Sequence, residues 1–354
     1  MKKAMVLSLL LVPLMFFAVS CSDDDDPVAP PTVDQLIATS LHNTTDGMKY
    51  FYDEENGGFE QFTDVPYEDL GCKNCHITPE NCNTCHVSDG DTPENSTCLA
   101  ACHSRQAAEQ GTGGTGPNAD YHLKPIASGG QGMKCADCHS SQQVHGDGHS
   151  YASLLTNETN VSCQQSGCHE TIPANTFHST HGADEFECQA CHAKAVNTCY
   201  NCHFESEIDL HTKIPFGRIS TWKFLVRNAE NDKITVGNMQ TLTYHGKAFY
   251  AVAPYYAHTI YDGAGMTCGT CHSSAAVTEY RTTGKITMTQ FNNDTKTLTN
   301  MQGVIPIPTD WTTALKFDFL TKDAGGAWIL QSQAPDGTQM LFAEPINITN
   351  MPTL

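Results

Sequence analysis

Sixteen of the seventeen cysteines fall into eight close pairs, and a histidine directly follows the second cysteine of every pair. The pairs are Cys72/Cys75, Cys82/Cys85, Cys98/Cys102, Cys135/Cys138, Cys163/Cys168, Cys188/Cys191, Cys199/Cys202 and Cys268/Cys271, followed by His76, His86, His103, His139, His169, His192, His203 and His272. Six read C-x-x-C-H; the third has one extra residue between its thiols and the fifth has two. Histidine is 17 of 354 residues, so eight such placements by chance have a probability of roughly 10⁻¹¹, and the spacing is that of covalent haem attachment. Two thiols this close can add to the two vinyl groups on one edge of a porphyrin. The imidazole of the next residue then turns under the ring to bind iron. A zinc site would pair Cys-x-x-Cys knuckles without a histidine after each, and a disulfide framework has no use for the histidines. The expected cofactor is eight covalent haem c groups.

These motifs, spread over residues 72–272, resemble those of multihaem c-type cytochromes, and more narrowly the octahaem cytochromes of anaerobic and extracellular electron transfer. The wider thiol spacings at Cys98/Cys102 and Cys163/Cys168 are variants of the same kind. What lies on the far side of each iron then decides between two functions. Nine histidines stand outside the motifs: His42, His122, His145, His149, His178, His181, His211, His245 and His258. Methionine can also be an axial ligand, but between residues 71 and 272 there are only Met133, Met239 and Met266. His245 lies in Tyr244-His245-Gly246-Lys247 between two strand-like runs and reads as an outward-facing hairpin turn. The expected distal ligands are the other eight.

Eight distal histidines for eight irons predict closed, bis-histidine sites and therefore an electron conduit. The alternative is an octahaem reductase of a small nitrogen or sulfur oxyanion, which needs one open iron. The lysine that replaces the motif histidine in the pentahaem nitrite reductase family is found in none of the eight motifs. A distal lysine, as in the tetrathionate reductase type, stays open. So does a pocket built by Tyr255 and Tyr256 beside His258, against plain ring packing.

The elements that must position these residues are sparse. Residues 66–211 contain only 17 Leu, Ile, Val or Phe in 146, a content that would ordinarily mean disorder. The expected fold is therefore mostly irregular, with short helices wrapped around a haem core that the chain could not replace, and a β-rich C-terminal part. Five residues separate His76 from Cys82, a reach of at most about 20 Å, so the first two haems are expected as neighbours. Beyond residue 212, β-branched and aromatic runs at 219–227, 233–236, 240–250, 285–291 and 327–331 alternate with turn-like clusters. The expected organisation is a signal peptide over 1–20, a lipidated acidic tether and N-terminal arm over 21–65, a heptahaem region over 66–211, and a β-rich region over 212–354. The last carries the eighth haem, a haemless tail, and Trp222, Trp311 and Trp328 as core candidates.

The remaining cysteine, Cys21, follows Lys2, Lys3, an apolar stretch at 5–18 and the small-residue approach Ala18-Val19-Ser20. A stretch this short reads as a signal peptide rather than a membrane span, and a cysteine at the cleavage point resembles a bacterial lipobox. Ser22 and the run Asp23–Asp26 resemble outer-membrane and surface-export signals. An exported outer-membrane lipoprotein, at the periplasmic face or cell surface, is expected, held to the membrane by its lipid alone. The net charge of −20 argues against nucleic acid as a partner. Thirteen acidic residues against Lys49 alone occupy residues 22–70. Other redox proteins or an extracellular acceptor are the expected partners. A homo-oligomer or filament is a further possibility, with His42 crossing to the next subunit.

Overall fold

A computed structural model describes residues 30–44, 46–71, 81–88, 90–156, 161–212, 214–263, 265–331 and 335–352. The lipidation candidate Cys21 and the first motif, Cys72, Cys75 and His76, lie outside the described residues.

The architecture overturns the expected haem-wrapped fold. Its centre is a seven-stranded mixed sheet. The four long strands are β1 (Val196–His203), β2 (Pro215–Asn228), β3 (Ile234–Tyr244) and β4 (Lys247–Pro254). β2 is antiparallel to β1 through one half and to β3 through the other, while β1 meets β3 in parallel at Cys202↔Leu242 and His203↔Thr243. Pro335–Met340 adds in parallel to β4, and Gly303–Pro306 and Ala343–Glu344 pair with β2. Among the described residues no α-helix exceeds the nine residues of Ala275–Thr283, and none is long and apolar enough to cross a membrane.

Side chains alternate across this sheet. Tyr250 joins one core with Tyr200, Trp222, Phe224, Met239 and Phe319, covered by the C-terminal segment. The preceding residue, Phe249, joins a second core with Tyr52, Tyr67, Leu70 and Leu242 on the other face. Here the N-terminal arm is a structural element: Phe59 and Phe62 lie 4.5 and 5.0 Å from Phe249, ring to ring. Apolar side chains therefore build the core that the low apolar content of 66–211 assigned to porphyrins. The composition misled because β1 lies inside that window. Its alternating Val196, Thr198, Tyr200 and Cys202 is a strand pattern overlaid by a haem motif. Of the three tryptophans, Trp222 is fully buried, whereas Trp311 and Trp328 are only partly so.

Residues 81–188 form a second layer of short helices and turns. Among the described residues of that stretch the only buried apolar side chain is Ala119. The layer is tied to the sheet by polar contacts instead. Arg105 donates to the Asn197 carbonyl, Asn118 to Ser220, and Lys194 to Ala119.

Candidate haem-binding sites

Four of the described motifs sit on a single helical turn: Cys82–Thr84, Cys135–Cys138, Cys188–His192 and Cys268–His272. A turn of helix sets residues i and i+3 side by side, so both thiols face one way. The third motif reaches the same result with i and i+4, Cys98 lying in helix Asn95–Ala101 and Cys102 at its C-cap. Local caps fix these turns. The Asn81 side chain accepts from Asn83 N–H, and Thr267 from Thr270 N–H. Asn95 joins the third motif to the fourth by accepting from Cys135 N–H and donating to the Met133 carbonyl.

The fifth motif is held differently. Residues 163–168 lie on neither helix nor strand. They form a loop closed by Cys168 N–H to the Gln165 carbonyl and His169 N–H to the Cys163 carbonyl, with Gly167 at φ 83°. Cys168 is exposed, as are Cys82, Cys102, Cys163, Cys199 and Cys268. In each described C-x-x-C-H motif the second thiol is at least half-buried, whereas Cys102 and Cys168, the two with extra residues before them, are exposed. A left-handed glycine immediately before Cys168 takes the place of the helical turn.

The motif histidines do not stand alone. His86 faces His145 with ring centroids 5.9 Å apart, His103 faces His42 at 6.2 Å, and His139 faces His258 at 6.0 Å. His169 faces His122 at 6.0 Å, His192 faces His178 at 6.2 Å, and His272 faces His181 at 6.0 Å. Each pair joins one motif histidine to one non-motif histidine. Imidazoles bound through Nε2 on opposite faces of one iron, about 2.0 Å from it, hold their centroids about 6.3 Å apart. Among the described residues no three or more His, Cys, Asp or Glu gather as a metal-ion site. What recurs is a pair of imidazoles, the two axial ligands that a porphyrin iron lacks.

The ring nitrogens agree with that spacing. Nδ1 is the engaged atom in His42 (Val144 carbonyl, 3.2 Å), His86 (Asp91 carbonyl, 2.6 Å), His139 (Gln143 Oε1, 2.6 Å) and His145 (Ser141 Oγ, 2.8 Å). The same holds for His122 (Asp120 Oδ1, 3.0 Å), His178 (Pro173 carbonyl, 2.7 Å) and His272 (Pro352 carbonyl, 3.1 Å). Anchoring Nδ1 leaves Nε2 for the metal and fixes the ring, the arrangement found behind metal-bound histidines. Asp120 is the strongest such anchor. Burial alone would raise its pKa, but the His122 ring and the N–H groups of Ile260 and His122 hold it below the ordinary carboxylate value. The hydrogen bond to Asp120 in turn raises His122. His258 is held through its backbone, its N–H to buried Glu109 and its carbonyl from Gln110. Tyr255 bonds to Glu109 and lies under the Arg105 guanidinium, so it packs and supports the segment.

The residues of these six sites fit haem c. Attachment points also run together between motifs. Cys98 and Cys135 influence each other, as do Cys163 and Cys188: the neighbouring thiol lowers Cys98 and Cys188 and raises Cys135 and Cys163.

The seventh motif differs. Cys199 and Cys202 lie in β1, where residues three apart would ordinarily face opposite sides. Asn201 breaks the alternation with a left-handed backbone (φ 53°), held by Thr241 Oγ1 and by Leu320 at both ends of its amide. The kink turns Cys202 into the second core, where it is 4 % exposed and the only buried cysteine among the described motifs. Among the described residues His203 faces no imidazole. The indole of Trp328 stands 6.2 Å away at 83°, with Phe216 and Lys322 around it, and Glu205 lies 3.1 Å from Nδ1. This site does not fit a bis-histidine haem as the other six do.

Three expected ligands or spares remain. His211 is exposed and packs its backbone against Gly71, the residue before the first motif. His149 is largely exposed beside Asp147, 3.6 Å away. His245 and Gly246 form a two-residue turn, both at positive φ, between Tyr244 and Lys247, with the His245 ring stacked on Tyr244. His42, the filament candidate, faces a histidine of its own chain.

Sequence reasoning missed Lys223. It lies in β2 with 0 % exposure and donates to the carbonyls of Ala190 and Ala193, which bracket Cys191 and His192. Burial pulls its ammonium down to about 7. A lysine between tryptophan and phenylalanine in a strand pattern was the available signal.

No protein-family model, curated protein or solved structure matches this chain.

Proposed function

We propose that the chain is a multihaem c-type electron-transfer protein, passing electrons between redox partners or to an extracellular acceptor. Haem supplies one-electron chemistry, its iron alternating between the ferric and ferrous states. The observation that carries this reading is the set of six motif histidines, each 5.9–6.2 Å from a non-motif imidazole. Such paired imidazoles would hold a haem iron from both sides, and the chain's own side chains would then keep outside ligands off the metal. The Nδ1 anchors of His42, His86, His122, His139, His145, His178 and His272 hold those seven rings in place through a change of charge. Export by the N-terminal signal and lipidation at Cys21 belong to the same proposal, as does a haem at the first motif. Intact mass of protein expressed with a c-type maturation system should show eight haem additions, and Cys21→Ala should release it from membranes without changing that number. Fewer additions, or unchanged membrane association, would count against the corresponding part.

One observation favours a second reading, a reductase of a small nitrogen or sulfur oxyanion with a single open iron. An indole cannot ligate iron, and Trp328 stands where the other sites have imidazole. The conduit predicts a wholly low-spin ferric protein that, once reduced, does not bind carbon monoxide. The reductase predicts a high-spin component of one haem in eight, one equivalent of bound carbon monoxide, and loss of both on Trp328→His. Turnover of nitrite, hydroxylamine or tetrathionate should then follow the high-spin signal.

A further inference from the structure

Lys223 sits between two haem motifs that are far apart in sequence. Its Nζ donates to the carbonyls of Ala190 at 2.7 Å and Ala193 at 2.8 Å, and to Met266 Sδ at 3.3 Å. Ala190 and Ala193 flank the second thiol and the histidine of the sixth motif. Met266 precedes the eighth motif by one residue, and its N–H bonds back to the Cys191 carbonyl. Gly265 permits that approach, since a Cβ there would stand 3.1 Å from the Cys191 carbonyl oxygen and 3.3 Å from His192 Cε1. Cys271 packs in the same cluster as Ala190 and Met266. The lysine is therefore wedged between the backbones that carry the sixth and eighth attachment sites.

A buried cation is strongly disfavoured unless something compensates it. Among the described residues no carboxylate pairs with Lys223. The groups facing it are two carbonyls, a thioether and the sulfurs of Cys191 and Cys271. Each of the three N–H directions of an ammonium has an acceptor, the arrangement that a protonated amine needs.

We infer that Lys223, in its protonated form, places a buried positive charge that raises the reduction potentials of the haems held at Cys188/Cys191 and Cys268/Cys271. Going from ferric to ferrous adds one negative charge to a site, and a nearby cation in a poorly screened interior favours that change. These two sites thereby become the electron-collecting end of the proposed conduit. Lys223 is a positioning charge, not a ligand, because its donors are committed to the backbone.

The inference rests on haem being carried at the sixth and eighth motifs, so haem count and spectrum are recorded alongside potentials on the full-length holoprotein. In spectroelectrochemical titration, Lys223→Met with a complete haem complement should move two of eight haems to lower potential. At a fixed potential their ferric-to-ferrous ratio should rise on the order of tenfold. A second measurement needs no change at Lys223: serine at Cys268 and Cys271 should delete a component from the high-potential half of the titration. A curve unaltered by Lys223→Met, or loss of a low-potential component from the serine variant, overturns the inference. Haem missing from either motif in the unmodified protein defeats instead the reading beneath it.

Discussion

Replacing His178 with glycine should convert one low-spin haem to high-spin while the haem count stays that of the parent protein. The expectation follows from the His178–His192 pair, 6.2 Å between centroids, with His178 Nδ1 tied to the Pro173 carbonyl. His178 lies on the short helix Thr176–Thr180, whose N-cap Asn175 accepts from His178 N–H, so the backbone there does not depend on the imidazole. His192, the motif histidine, keeps its place on Cys188–His192. The ferric spectrum should show a high-spin component of one haem, the reduced protein should bind one equivalent of carbon monoxide, and added imidazole should reverse both. His245→Ala should do none of this, because His245 stacks on Tyr244 in the β3–β4 turn and faces no motif histidine. An unchanged spectrum in the His178 variant would show that the imidazole pairs are not axial pairs, and the conduit proposal would lose its basis.

The second large effect concerns the core. Trp222 is fully buried, lies 4.9 Å from Phe224 and 6.4 Å from Tyr200 ring to ring, and donates its indole N–H to Thr198 Oγ1 at 3.1 Å. Trp222→Ala opens a large cavity where β1 and β2 pair and leaves a buried hydroxyl short of a donor. Such substitutions cost about 3–5 kcal/mol, against a total stability of about 5–15 kcal/mol for a folded domain. The denaturation midpoint of the sheet should fall steeply even with every haem attached. Limited proteolysis of haem-free chain should show the complementary result. Fragments spanning the sheet from residue 196 onward should survive, while residues 81–188, with Ala119 as their one buried apolar side chain among those described, should be cut first. Uniform digestion of the whole chain would mean that the porphyrins, not the sheet, hold it together.

The motifs behind the proposed attachment chemistry were legible in the sequence because they are local: two thiols and an imidazole within a few residues, presented by a single turn such as Cys135–Cys138. The strand runs around β2 and the Tyr244–Lys247 turn were legible for the same reason: alternation and a His-Gly pair at positive φ are properties of adjacent residues. Counting histidines also predicted that distal imidazoles would be available, but not which meets which. Spacing alone did not show that Cys168 would sit exposed on a loop, since the path of two extra residues depends on the glycine conformation before it.

That assignment of histidine to histidine belongs to tertiary structure. His42 meets His103 across 61 residues of chain and His139 meets His258 across 119, and nothing in local pattern selects those partners. The sheet was hidden differently. Apolar content averaged over 66–211 was low, yet core formation depends on where a few residues go: Tyr200 and Cys202 in β1 enter cores filled by Trp222, Phe249 and the N-terminal arm, and Val196 enters another with Val236 and Ala257. Lys223 reads in sequence as a strand residue with its charge in solvent. Only the approach of Ala190, Ala193 and Met266 from distant segments supplies the acceptors that let a cation be buried there. Short-range spacing put the thiol pairs and their histidines into the sequence. The long-range packing that pairs histidines, buries Lys223 and sets Trp328 over His203 arises only when segments far apart in the chain exclude water together.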